Sequence, residues 1–259
     1  MNKPTSEGLR PRFLPKNRSQ KNGPSPHSMM MPITNTAGPT RAKSGMSFDR
    51  GSIICCTGDT IERCYFPQNG MMSLVSCIES GKTVEVASIG TEGFVGFSSI
   101  LGRHEMPYDA FAQSNTTCLV LKTRTVIDIF GGSKAFHDAA LSFTYFMIKQ
   151  LAQSCICNHF HPIEARACRW FAAMTDRTGK TRLKITQESL ANTLGAQRTS
   201  IGTVTAEMQR TGMIHYSRGT IELLDISRIK DHACECYKIL KTARQRLLDD
   251  FPEKGSVMR

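Results

Sequence analysis

Residues 185–224 constrain this chain more than any other stretch. Thr186 can cap a helix whose buried side is Leu190, Ala191 and Leu194. Glu188 in its first turn suits the helix dipole. Gly195 follows, where a left-handed backbone would turn the chain sharply. A second helix begins around Arg198, with Ile201, Val204 and Met208 inward and Gln197, Arg198, Thr199, Ser200 and Thr203 at its outward start. Gly212 closes it. Residues 213–216 and 220–224 then read as two strands joined by Ser217-Arg218-Gly219. Two helices meeting steeply through a short glycine turn, followed by a hairpin, form a helix-turn-helix with a wing. A packing hairpin would also supply two helices. The polar start of the second helix and the added wing favour entry into a DNA major groove.

Charge supports that reading. The formal net charge is +11. Residues 161–230 carry 11 basic and 6 acidic groups and residues 1–50 carry 9 and 2, whereas residues 51–160 carry 7 and 9. The positive excess therefore sits on the helix-turn-helix block and the N-terminal segment, as a polyanion partner would favour. Residues 1–45, rich in Pro, Ser, Asn, Lys and Gly, are expected to form a disordered basic tail. No stretch approaches the roughly 18 continuous apolar residues of a membrane helix, and no apolar run follows the N-terminal charges as in a secretory signal. The expectation is a cytoplasmic protein without membrane contact.

Between residues 46 and 132 the chain changes character. Short apolar runs at 71–77, 83–89 and 117–121 are separated by turn signals such as Thr57-Gly58-Asp59, Gln68-Asn69-Gly70 and Ser80-Gly81-Lys82. This spacing predicts a small antiparallel barrel or sandwich. Residues 133–160 read as a long helix capped by Ser133, with Phe136, Ala140, Phe143, Met147 and Leu151 in one apolar stripe and Tyr145 and Phe146 widening it. Such a stripe serves as a core face or as a dimer seam. Pro162 suits the first turn of a further helix with Ile163, Ala167, Trp170, Phe171 and Met174 on its apolar face, ending near Gly179.

The ten cysteines include no C-x-x-C pair, so the zinc-ribbon and zinc-finger spacings are missing, and reduced thiols are the expectation. Cys155, Cys157, His159 and His161 lie close in sequence, yet such residues more often simply end a helix, and no metal or cofactor is expected. The chain has no nucleophile elbow, P-loop or H-E-x-x-H sequence, so no enzyme is expected.

The chain resembles the Crp–Fnr family of bacterial transcription regulators over roughly residues 50–240. Tyr65-Phe66-Pro67-Gln68-Asn69-Gly70, Thr83-Val84-Glu85-Val86 and Gly90-Thr91-Glu92-Gly93-Phe94-Val95-Gly96 are similar to the family's sensor barrel. Cys157-Asn158 with Ile163-Glu164-Ala165-Arg166 resembles the junction into its DNA-binding domain, residues 183–224 resemble its winged helix, and Ala233-Cys234-Glu235-Cys236-Tyr237 resembles a C-terminal helix of one subgroup. The resemblance implies an α+β chain: an N-terminal antiparallel β-roll of the cyclic-nucleotide-binding type (46–132), a dimerisation helix (133–160), a winged helix-turn-helix (161–228), and a C-terminal helix and tail (229–259). It implies a homodimer reading a near-palindromic DNA site with half-sites about one helical turn apart.

The departures from the family pattern are informative. Members that bind cyclic AMP hold its phosphate with an Arg-Ser pair. The matching stretch here, residues 102–110, has none and offers Asp109, which would repel a phosphate. Binding of cyclic AMP is therefore not expected. The spacing of Cys55, Cys56, Cys64 and Cys77 does not match the family's iron–sulfur cluster. The region before the barrel reads as short, and a first strand is expected to be missing. In the recognition helix, Thr199 and Thr203 occupy places where many members carry Glu and Arg, and Arg198 matches another contact position. The candidate DNA-contacting residues are Thr186, Gln197, Arg198, Thr199, Ser200, Thr203 and Arg218. Arg198 suits a guanine and Arg218 a phosphate. RNA polymerase is a further candidate partner, and the sequence names no effector. The rival reading is a small-molecule or redox sensor that acts through protein partners.

Overall fold

The computed structural model describes residues 43–251. The expected basic tail lies outside them except for residues 43–45, which open a strand. The chain runs β1 (Lys43–Phe48), β2 (Ile53–Cys55), β3 (Arg63–Pro67), β4 (Met72–Cys77), β5 (Thr83–Ile89), a 3-10 turn (Phe97–Leu101), β6 (Asp109–Ala112), β7 (Thr116–Lys122), α1 (Thr123–Gly132) and α2 (Lys134–Phe160). It continues through α3 (Ile163–Thr178), β8 (Arg182–Lys184), α4 (Gln187–Leu194), α5 (Arg198–Arg210), β9 (Ile214–Ser217), β10 (Thr220–Leu223), α6 (Ile226–His232) and α7 (Cys236–Asp250).

The first seven strands form two antiparallel sheets, ordered β1-β7-β3 and β2-β6-β4-β5. Phe66, Leu74, Phe94, Phe97 and Tyr108 lie between them in one buried cluster, and the rings of Phe66 and Phe94 stack at 4.6 Å. The expectation of a missing first strand is corrected: β1 pairs with β7, with Met46 opposite Cys118 and Phe48 opposite Thr116. The segment 46–132 closes with α1, which follows β7 directly.

Ser133 caps α2 by accepting from the Phe136 amide at 3.3 Å. Phe136, Ala140, Phe143 and Met147 all face the barrel and are buried. Of the two uses open to that stripe, these four residues take the core one, while Leu151 at its end stays exposed. Gly93 makes the approach feasible, since a Cβ there would land on the Phe143 ring. The same helix covers β5, the edge strand of its sheet. Gln150 donates to Ser88 O at 3.0 Å and accepts from Ser88 N at 3.3 Å, and Ser154 donates to Val86 O at 2.8 Å. Edge groups that would otherwise invite strand addition are thereby satisfied.

On its other face α2 exposes Leu141, Tyr145, Ile148, Leu151 and Ile156, with Tyr145 68% and Ile148 59% accessible. Two opposite apolar faces on one helix are why the periodicity alone did not reveal which one the barrel takes.

A second core gathers Trp170, Phe171 and Met174 of α3 with Leu190, Leu194, Ile201, Met208, Ile221 and Ile229. α6 thus belongs to this core and crosses the expected boundary at residue 228. α7 runs back to the barrel, where Leu247 joins the first core.

Candidate nucleic-acid interface

The local chemistry of residues 186–212 builds two helices at a fixed angle. Thr186 Oγ1 accepts from the Ser189 amide at 3.0 Å, closing the N-terminus of α4. Gly195 adopts φ 58, and the Ala196 amide returns to Ala191 O at 2.9 Å, as in a left-handed helix stop. A Cβ on Gly195 would come 2.9 Å from Val84 Cγ2 of β5, so the turn also leans on the barrel. Gln187 Nε2 donates to Thr205 Oγ1 at 3.2 Å and ties α4 to α5. Buried Arg166 of α3 donates to Leu194 O and, at 2.9 Å, to Asn158 Oδ1. It thereby joins the end of α2 to the helix-turn-helix.

This frame presents the N-terminal turn of α5 outward. Gln197, Arg198, Thr199 and Thr203 are exposed, while Ser200 is half-buried and Ile201 beneath them is fully buried. Thr203 Oγ1 donates back to Thr199 O at 3.2 Å, which leaves its methyl and lone pairs facing out. Thr186 stays exposed although its hydroxyl is engaged in the cap. Arg198 has no partner among the described residues. The helix N-terminus adds four amides and partial positive charge.

The wing is the β9–β10 hairpin, in which Ser217 pairs with Thr220, leaving Arg218 and Gly219 as a two-residue loop. Their φ values are 45 and 73, the mirror-image turn that right-twisted strands favour. Arg218 is the one non-glycine residue with positive φ among those described. A bulky cation occupies a place where Asn or Gly would cost less, and it is exposed at the tip. Arg182 and Lys184 stand outside the helix-turn-helix pattern in the sequence. Both are exposed on β8, which pairs with β10, and they alternate with buried Leu183.

Elsewhere the candidate ligand sites are more ordinary. A cleft of about 270 Å³ between barrel, α3 and α7 is lined by Glu85, Trp170, Asp176 and Arg177 among others. Its charges are largely spoken for: Asp176 pairs with Lys230 at 2.9 Å and Lys241 at 3.2 Å, and Arg177 with Glu92 at 3.1 Å. Trp170, expected in the core, is buried there and also points Nε1 toward Glu85 at 3.4 Å. The barrel cysteines do not gather. At the base of α2, however, Cys157 and His161 meet Cys234 and Cys236, while Cys155 and His159 stay exposed and apart.

Comparison with known proteins agrees with this architecture. Residues 46–132 match the cyclic nucleotide-binding domain, and residues 165–231 match the Crp-like helix-turn-helix domain. The transcriptional regulator SdrP of Thermus thermophilus is 24% identical over 196 residues, which are 75% of this chain and 96% of that protein. FixK2 of Bradyrhizobium japonicum superposes with a TM-score of 0.62 at 12% identity, over 74% of this chain and 97% of the other. A crp/fnr-family regulator from Eubacterium rectale gives 0.61 at 18% identity, over 73% and 88%. The chain belongs to the Crp–Fnr family of transcription regulators, with a cyclic-nucleotide-binding-like β domain followed by a DNA-binding helix-turn-helix.

Proposed function

We propose that this regulator binds a near-palindromic DNA site as a homodimer, inserts α5 into the major groove of each half-site, and does so without cyclic AMP. The observation that carries the reading is the exposed start of α5. Arg198 stands there free of partners, flanked by Gln197, Thr199, Ser200 and Thr203. A guanidinium at a helix N-terminus suits bidentate contact with guanine, and threonine methyls suit thymine. Arg218, Arg182 and Lys184 supply cationic groups at the margins, where phosphates would lie, and exposed Thr186 stands at the start of α4. The exposed Leu141–Tyr145–Ile148 stripe of α2 supplies the dimer seam.

Two features support independence from cyclic AMP. Asp109 lies in the stretch where a phosphate-binding pair would be needed, and its carboxylate accepts from Thr57 N at 2.7 Å and Thr57 Oγ1 at 3.0 Å. Aromatic side chains fill the space between the sheets. No motif of catalysis competes with the regulatory reading. Among the described residues no helix is long and apolar enough to cross a membrane.

The test is selection of duplexes from a random pool by the purified protein at near-physiological salt, without added nucleotide. An enriched palindrome with half-sites about one helical turn apart is the expected result. Enrichment only after cyclic AMP is added would overturn the ligand part. Enrichment of an unpaired half-site would overturn the dimer.

A further inference from the structure

Four metal-ligand side chains from distant parts of the chain converge where α2 ends. Cys157 lies in the last turn of α2 and His161 caps it, with the His161 amide donating to Cys157 O at 3.2 Å. Residues four apart on a helix share a face, which places both side chains together. Cys234 comes from the turn between α6 and α7 and Cys236 from the first residue of α7, and the Tyr237 amide donates to Cys234 O at 3.0 Å. The four ligand atoms all lie within 4.8 Å of one another. The three cysteines are buried and His161 is half-buried.

The spacings are those of a tetrahedron around one ion. Zinc–sulfur bonds near 2.3 Å and zinc–nitrogen bonds near 2.0 Å set neighbouring sulfurs about 3.8 Å apart and a sulfur–nitrogen pair about 3.6 Å apart. Cys157 Sγ and Cys234 Sγ are 3.6 Å apart, and Cys236 Sγ and His161 Nδ1 are 3.5 Å apart. These sulfurs are too distant to be bonded to each other and stand at the separation of two ligands on one ion.

The surroundings match a metal site as well. The outer nitrogen of His161, Nε2, is 3.0 Å from Glu235 Oε1. A carboxylate on the far side of a ligating imidazole holds its proton there and frees the inner nitrogen for a metal. Gln153 Nε2 donates to Cys236 Sγ at 3.0 Å, and amide donors commonly support ligating sulfurs. Three thiolates and one zinc ion leave a net negative charge, and the guanidinium groups of Arg166 and Arg169 act on Cys157 electrostatically.

We infer that Cys157, His161, Cys234 and Cys236 form a Cys3His site for a single tetrahedral zinc ion. Four protein ligands leave no open position, so the site is structural. It fastens the start of α7 to the hinge between the long helix and the winged helix. Arg166, which holds the Leu194 carbonyl at the helix-turn-helix turn, stands beside it. Sequence spacing concealed the set because its two halves, C-x-x-x-H and C-x-C, are 77 residues apart at Cys157 and Cys234.

The test uses the full-length protein purified without chelator and analysed for metals. About one zinc ion per chain is expected. After zinc removal under reducing conditions, cobalt(II) should restore a 1:1 complex with the visible bands of a tetrahedral ion and the near-ultraviolet charge transfer of thiolate ligands. Cys236→Ser should abolish the thiolate-rich spectrum. Glu235→Gln, an exposed change that removes no ligand, should weaken zinc binding about 10- to 100-fold. Cys155→Ser, outside the set, should leave both unchanged. A chain that binds neither zinc nor cobalt(II), or one that holds iron with inorganic sulfide, would overturn the assignment. So would Cys234→Ser and Cys236→Ser variants as rich in zinc as Cys155→Ser.

Discussion

Glu92 of the barrel and Arg244 of α7, 152 residues apart, meet at 2.9 Å with the carboxylate wholly buried. Arg177 of α3 reaches the same carboxylate at 3.1 Å. One acidic side chain thus joins the sensor barrel, the DNA-binding domain and the C-terminal helix. Removing one member of a buried ionic group costs more than the group contributes, because its partners are left without compensation. Glu92→Gln leaves the nearly buried Arg177 unpaired and should destabilise the fold by about 3 kcal/mol. Urea unfolding checks this, and a loss below about 1 kcal/mol would mean that water already screens the cluster.

The same carboxylate sets an acid limit. Burial alone would raise its pKa, but Arg177 and Arg244 outweigh burial and hold it at about 2, against an ordinary value of 4.5. Its folded pKa is depressed, so its contribution is complete above about pH 4.5 and is lost as pH falls toward 2. Across that window the wild-type chain should lose about 3 kcal/mol more than Glu92→Gln does. Unfolding free energies measured at steps between pH 5 and 2.5 should therefore converge for the two proteins. Parallel curves would contradict the ion-pair account.

Tyr108 stacks on Phe97 with ring centroids 6.2 Å apart, and its hydroxyl is buried without a hydrogen-bond partner. A buried hydroxyl that gave up water for nothing costs roughly 1–3 kcal/mol. Tyr108→Phe keeps the ring and should raise stability by about 1 kcal/mol, seen as a higher thermal midpoint. A lower midpoint would reveal an internal water or another partner for the hydroxyl.

How much of this was legible follows from how local each feature is. The helix-turn-helix could be read because its signals are neighbours in sequence: Thr186 caps at Ser189, and Gly195 turns the chain three residues before Arg198. The strands at 72–77 and 83–89 could be read from their bounding turns. By contrast, Glu92 looks like an ordinary turn residue until Arg177 and Arg244 arrive from 85 and 152 positions away. α1 begins without a side-chain cap, so nothing marked where β7 gives way to it. The inward stripe of α2 was visible, but the barrel it covers was not assignable from periodicity. Cys157 and His161 lie beside Cys155 and His159 in sequence, and only the fold separates the pair that meets Cys234 and Cys236 from the pair that does not.

The outer face of α2 should behave as a buried surface in solution. Tyr145 and Ile148 are more than half exposed in the single chain, with Leu141 one turn before. Ile148→Glu places a charge in the proposed seam without touching the barrel face. Sedimentation should then report a monomer where the wild type is a dimer. Affinity for a two-half-site duplex should fall about 100-fold or more, because the second half-site no longer benefits from linkage. An unchanged dimer would move the interface elsewhere.

Arg198 and Arg218 should fail in different ways. Arg198 begins α5 and faces out, so Arg198→Ala should cost about 1–3 kcal/mol on the selected site and little on random DNA. Arg218 sits on the wing at φ 45, a backbone conformation that glycine adopts without strain. Arg218→Gly should therefore leave the fold at least as stable. It should weaken selected and random DNA alike and reduce the salt dependence by about one counterion. Titrations of both variants against both DNAs at several salt concentrations separate the two roles. Equal losses for Arg198→Ala on both DNAs would remove it from base readout, leaving the threonines and Gln197 to read sequence. A stability loss in Arg218→Gly would mean that the arginine side chain holds the wing rather than the DNA.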